Sequence, residues 1–65
     1  MMVTINGEAV DVLGQTVQQY LNTAGYASKR VAVELNGAIL PAAQFAEYRF
    51  KAGDRVEIVH FVGGG

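Results

Sequence analysis

Two Asn-Gly dipeptides do most to limit what this chain can fold into. Asn6-Gly7 and Asn36-Gly37 each lie between short runs in which apolar residues alternate with others. A two-residue hairpin turn needs positive φ at both central positions, and Asn-Gly tolerates this unusually well. The first dipeptide therefore folds Val3-Thr4-Ile5 back onto Val10 and Val12. The second folds Val31, Val33 and Leu35, with Ala32 and Glu34 on the opposite side, onto Ala38-Ile39-Leu40. Pro41 ends that strand, because it has no N–H to give to a ladder.

Between the hairpins the period changes. Thr16 and Gln19 have capping-box spacing, and Val17, Tyr20, Leu21 and Ala24 fall on one helical face. Gly25 stands where a helix closes in a left-handed residue. The pattern predicts a helix over about residues 17–24. Phe45, Tyr48 and Phe50 follow Pro41 without a clear period and suggest a short helical turn over the edge of the core. After a turn at Gly53-Asp54, alternation returns from Arg55 to Val62. Val56, Ile58, His60 and Val62 face one way; Glu57, Val59 and Phe61 face the other.

One helix among five strands must cover one face of one sheet. This order of elements resembles the β-grasp, the architecture of ubiquitin. The resemblance implies an α+β fold: a mixed sheet of about five strands with one main helix packed on one face. The first and last strands would lie side by side and parallel at its centre, with the hairpins outward. Residues 1–62 would form the domain and residues 63–65 a flexible Gly-Gly-Gly tail.

At 65 residues with no cysteine, such a domain has neither disulfide nor Cys-metal staple, so its stability must come from an apolar core. About half of the residues are apolar, which suits that demand. The basic residues Lys29, Arg30, Arg49, Lys51 and Arg55 are scattered, without the stripe that binds nucleic acid. No apolar run approaches the roughly 20 residues of a membrane span. The opening residues lack the charged start and apolar stretch of a signal peptide. The expected setting is cytoplasmic, with no nucleic-acid or membrane partner.

Catalytic equipment is sparse. The acids Glu8, Asp11, Glu34, Glu47, Asp54 and Glu57 are spread over the elements, and most read as solvated surface charges. His60 could carry a proton near the tail, but its place between Ile58 and Val62 reads better as packing at the sheet margin. No other ligand is spaced to build a metal site with it. A chain this short also has little room for a substrate pocket of several hundred Å³. Independent catalysis is not expected.

Gly63-Gly64-Gly65 is the unusual feature. The bland reading is a frayed end. The functional reading is a thread without Cβ atoms, thin enough to enter a narrow channel in a partner and approach its backbone closely. A carboxylate at the tip of that thread is a poor electrophile until transfer of AMP makes it a mixed anhydride.

Several stretches together resemble the ThiS family of thiamin-biosynthesis sulfur carriers. They are Val3-Thr4-Ile5-Asn6-Gly7-Glu8, Ala32-Val33-Glu34-Leu35-Asn36-Gly37 running on to Pro41, Gly53-Asp54-Arg55-Val56-Glu57-Ile58-Val59, and Val62-Gly63-Gly64-Gly65. Ala42, Ala43 and Phe45 depart from the charged residue and Trp that often follow the proline in that family. The resemblance implies that a ThiF-like adenylyltransferase spends ATP to adenylate Gly65. Sulfur from a donor such as a cysteine desulfurase then displaces AMP, and the thiocarboxylate serves a ThiG-like thiazole synthase. The chain itself would bind no cofactor. Alternation places Val59, Phe61 and Ala32 on the outward face, and with Val62 they form a candidate docking patch beside the tail. Carriers for molybdopterin or tRNA thiolation, a ubiquitin-like modifier, and a binding module with an inert tail remain alternatives.

Overall fold

The structure, a computed structural model, describes residues 2–61. Strands β1 (Val3–Ile5) and β2 (Glu8–Val10) form the first hairpin, with Val3 opposite Val10 and Ile5 opposite Glu8. Strands β3 (Val31–Leu35) and β4 (Ala38–Leu40) form the second, with Val33 opposite Leu40. At both turns the Asn-Gly pair takes positive φ, 50° and 85° at Asn6 and Gly7, 51° and 88° at Asn36 and Gly37. Strand β5 (Arg55–His60) enters the middle, giving the order β2-β1-β5-β3-β4. It runs parallel to β1 and antiparallel to β3. The sheet is thus the mixed five-stranded one expected of a β-grasp.

Helix α1 (Val17–Ala24) has the bounds its period implied. A helix begins with four N–H groups that its own turns cannot satisfy. Here all four have acceptors. Thr16 N donates to Gln19 Oε1 (2.8 Å) and Gln19 N to Thr16 Oγ1 (3.1 Å), the reciprocal capping box. Val17 N donates to the Tyr48 carbonyl (3.0 Å) and Gln18 N to the Phe45 carbonyl (2.8 Å). The segment after Pro41 therefore both lids the core and caps the helix. A 3-10 turn at Ala42–Gln44 bends it into place. At the other end Gly25, at φ 86°, lets its own N–H reach the Asn22 carbonyl and the Tyr26 N–H reach that of Leu21.

The core lies between α1 and one face of the sheet. Val3 and Ile5 from β1, Val31 and Val33 from β3, and Val56 and Ile58 from β5 all point into it. Val17 and Leu21 meet them from the helix, and Phe45 and Phe50 close the edge. Burying side chains of this size stabilises the fold by about 1.5–3 kcal/mol each. Tyr20 and Tyr48 set their rings edge-on to Phe50 at 6.2 and 6.4 Å.

One expectation needs correction. Alternation carried the first hairpin to Val12, but β2 stops at Val10. Val12 is buried all the same, because a tight turn follows it, with Gln15 N donating to the Val12 carbonyl at 3.0 Å. The acids are mostly exposed, as expected, and Asp54 is the buried one. Its carboxylate accepts from Asn36 Nδ2 (3.0 Å), Tyr48 Oη (2.7 Å) and Lys51 N (2.9 Å). Burial pushes the Asp54 carboxyl up, but these three donors and the Lys51 charge outweigh it and hold the group below the ordinary carboxylate range. Burial and the bond to Asp54 together push the Tyr48 phenol up to about 12.

Candidate functional site

The candidate site is the outgoing end of β5, the strand that leads into the glycines. Residues on both sides pin this strand. Asn6 extends the short parallel seam beyond β1 with its side chain: Oδ1 accepts from Ile58 N at 2.7 Å and Nδ2 donates to the Ile58 carbonyl at 3.3 Å. On the other side Asn36 Oδ1 accepts from Arg55 N at 2.8 Å, and Asn36 N donates to the Arg55 carbonyl at 2.7 Å. Each turn asparagine thus does two jobs, adopting positive φ and locking the central strand. Sequence reasoning found only the first. The available signal was Asn at both turns, since Asp or Gly would also allow the hairpin but could not both donate and accept.

Beyond Ile58, His60 pairs with Val31 and Phe61 N donates to the Arg30 carbonyl at 2.8 Å. Strand geometry ends at His60, earlier than the expected Val62, although Phe61 keeps this one bond to the neighbouring chain. The His60 ring is exposed and lies 5.0 Å from the Tyr26 ring, tilted by 37°. That is the packing role at the sheet margin. Among the described residues no group of three or more acids or histidines could hold a metal ion. No helix among them is long and apolar enough to cross a membrane.

The outward patch is open on its described part. Ala32 lies directly opposite Val59 and is half-buried, while Val59 and Phe61 are 59% and 60% exposed. Sequence reasoning missed Ile39, which is 66% exposed on the same face. Its period-2 register, opposite Glu34, was the signal that could have found it. Phe61 and Ile39 help line a depression of about 240 Å³, together with Ala32, Pro41 and Phe45. That is below the range of small-molecule pockets and suits a partner's side chain better than a substrate. A second depression, about 460 Å³, is lined by Glu34, Asn36, Gly37, Arg55 and Glu57. It exceeds the room expected of so short a chain, but it is an open dish with charged walls. Val62, Gly63, Gly64 and Gly65 lie outside the described residues.

The β-grasp topology and this strand end have close counterparts. The crystal structure of the thiamine biosynthesis protein (ThiS) from Geobacter metallireducens superposes with a TM-score of 0.79 at 38% identity, covering all of both chains. A thiazole synthase of Paramagnetospirillum magneticum is 41% identical over 66 aligned positions. That match takes in the whole of this chain but only 20% of the synthase, so the chain spans about a fifth of that relative's length. An uncharacterised protein of Porphyra purpurea, ycf40, is 36% identical over 97% of this chain and 90% of its own. The ThiS family model matches residues 3–65. The chain belongs to the ThiS family.

Proposed function

We propose that the C-terminal carboxylate of Gly65 is the group that carries sulfur. The observation behind this reading is that the family match runs through Gly65, on a fold whose central strand leads toward the glycines and is held by Asn36 at its first residue, Arg55, and by Asn6 at Ile58. Residues 1–62 serve as the presenting domain and 63–65 as the thread. A ThiF-like partner transfers AMP from ATP to the carboxylate and releases pyrophosphate. The terminal sulfur of a persulfide formed by a cysteine desulfurase then bonds to the acyl carbon as the bond to AMP breaks. A thiol reductant cleaves the resulting S–S bond, being oxidised to a disulfide as the thiocarboxylate is released. The resulting thiocarboxylate passes its sulfur to a ThiG-like thiazole synthase. This chain has no cysteine and so cannot carry sulfur as its own persulfide. A stretch similar to the whole chain forms part of a thiazole synthase in Paramagnetospirillum magneticum. That favours a thiazole synthase as acceptor over the molybdopterin and tRNA-thiolation alternatives. The chain acts as co-substrate, and ATP is consumed by the partner.

Four extended residues reach at most about 14 Å. An enzyme that handles Gly65 therefore covers the surface around Phe61, so Ala32, Val59, Phe61 and Val62 form its apolar landing area. ATP–pyrophosphate exchange with a ThiF-like enzyme tests both parts. Exchange is expected to depend on this chain. Phe61→Asp is expected to lower kcat/KM for the carrier by about tenfold or more, the effect of losing one central apolar contact. Exchange that does not respond to the chain removes the carrier reading. Unchanged adenylation and sulfur transfer by Phe61→Asp remove only the patch.

A further inference from the structure

Strand β5 is held unequally along its length. On the β1 side, pairing covers Arg55 and Val56, and the Asn6 side chain extends it to Ile58. Among the described residues, no hydrogen bond from that side reaches beyond Ile58. On the β3 side, register runs from Leu35 opposite Val56, through Glu34 opposite Glu57, to Val31 opposite His60. The bond from Phe61 N to the Arg30 carbonyl follows. The last residues of the strand are thus held from one side only, and segments held by few bonds open first. What they lie against is the connection from α1 to β3. Tyr26 N is tied to the Leu21 carbonyl at the end of α1, and its half-buried ring packs on the core. That same ring meets the exposed His60 ring at 5.0 Å. The core itself gains little from this contact, which sits at the root of the tail.

Building on the function proposed above, we propose that Tyr26 and His60 are positioning residues: their stacked rings fasten the end of β5, so that the residues carrying Gly65 start from a fixed point. Ile58 is the last residue bonded from both sides. With the stack gone, the strand opens back toward it, and the stretch an enzyme must order grows from residues 62–65 to residues 59–65. Each added residue costs backbone entropy on binding. That cost raises KM and leaves kcat alone, because it is spent before the chemistry. An aromatic pair favours the closed strand end by about 2- to 10-fold, which also sets the largest loss its removal can cause. The role belongs to the His60 ring as a surface, not to its nitrogens as proton carriers.

Two substitutions at His60 test this, both by residues that suit a strand. His60→Thr removes the ring, and His60→Phe keeps a ring without nitrogens. His60 is exposed, so both variants should melt within about 4 °C of the parent. In His60→Thr the Phe61 amide should exchange its hydrogen about 3- to 10-fold faster. Its kcat/KM for the carrier in pyrophosphate exchange with a ThiF-like enzyme should fall about 3- to 10-fold, through KM, with kcat within about twofold. His60→Phe should match the parent in both measurements. Tyr26→Leu removes the other ring, and the double variant Tyr26→Leu/His60→Thr should lose no more than the worse single one, since both break one contact. An unchanged Phe61 amide in His60→Thr overturns the proposal. Faster amide exchange with parent-like kcat/KM also overturns it, by showing that the fastening does not matter to an enzyme. A His60→Phe variant as impaired as His60→Thr assigns the role to the nitrogens instead. If the parent itself supports no pyrophosphate exchange, the carrier reading fails and the positioning role with it. That outcome is distinguished by the parent failing, not the variant.

Discussion

Deletion of Gly65, or addition of one residue after it, is expected to slow loading by the activating enzyme about 100-fold or more while leaving the fold intact. The magnitude follows from position. A group displaced from an attacking geometry by even about 1 Å can cost two orders of magnitude, and one residue moves the carboxylate by about 3.5 Å. The fold should be indifferent, because the buried core among the described residues ends with Ile58 and the last strand with His60. Circular dichroism melts that match the parent, together with lost pyrophosphate exchange, are the expected pair of results. Retained exchange would show that the reactive group lies elsewhere.

Asp54→Ala is expected to have the opposite profile, a large loss of stability with the tail chemistry untouched in whatever fraction remains folded. The substitution removes one carboxylate and leaves the Asn36 amide, the Tyr48 hydroxyl and the Lys51 N–H without their acceptor. Losing hydrogen bonds to a charged group and stranding their donors costs about 2–4 kcal/mol. A domain of this length has only about 3–10 kcal/mol in total. The thermal midpoint should fall by about 10–30 °C. A fall of under about 3 °C would show the network to be incidental.

The same carboxyl sets an acid dependence. Its pKa is lowered in the folded state, so the unfolded chain binds its proton first as pH falls. The stability it contributes is complete above the unfolded value of about 4 and is lost as pH drops through the lower folded value. Asp54→Asn keeps the shape but cannot titrate, and should flatten the denaturation midpoint across that window. A parent-like slope in the variant would assign the acid sensitivity to other groups.

The network at Asp54 also marks the limit of what the chain's pattern reveals. Periodicity finds what repeats: the hairpins, the bounds of α1, the cap at Thr16 and the inward set on β5. It cannot see a contact between Asn36, Tyr48 and Asp54, which are separated in sequence and converge only once β5 lies beside β3. The double role of Asn6 was hidden for the same reason, since Ile58 is 52 residues away from it. Val12 shows a different failure. Its alternation correctly signalled burial, but burial under a turn and burial in a strand leave the same trace. On the outward face, Val59 and Phe61 were legible because alternation assigns faces. The opposition of Glu34 and Glu57 was not, because register between β3 and β5 is a property of the assembled sheet.

The carboxylate of Gly65 as the sulfur-bearing group is tested most directly by intact mass. The full chain is incubated with ATP, a ThiF-like adenylyltransferase, a cysteine desulfurase with its cysteine substrate, and a thiol reductant, and the product is then weighed and fragmented. The expected result is a gain of about 16 Da, oxygen replaced by sulfur, confined to the C-terminal peptide that contains Gly65. An unchanged mass with an activating enzyme shown to be competent, or sulfur found on any other peptide, would contradict it.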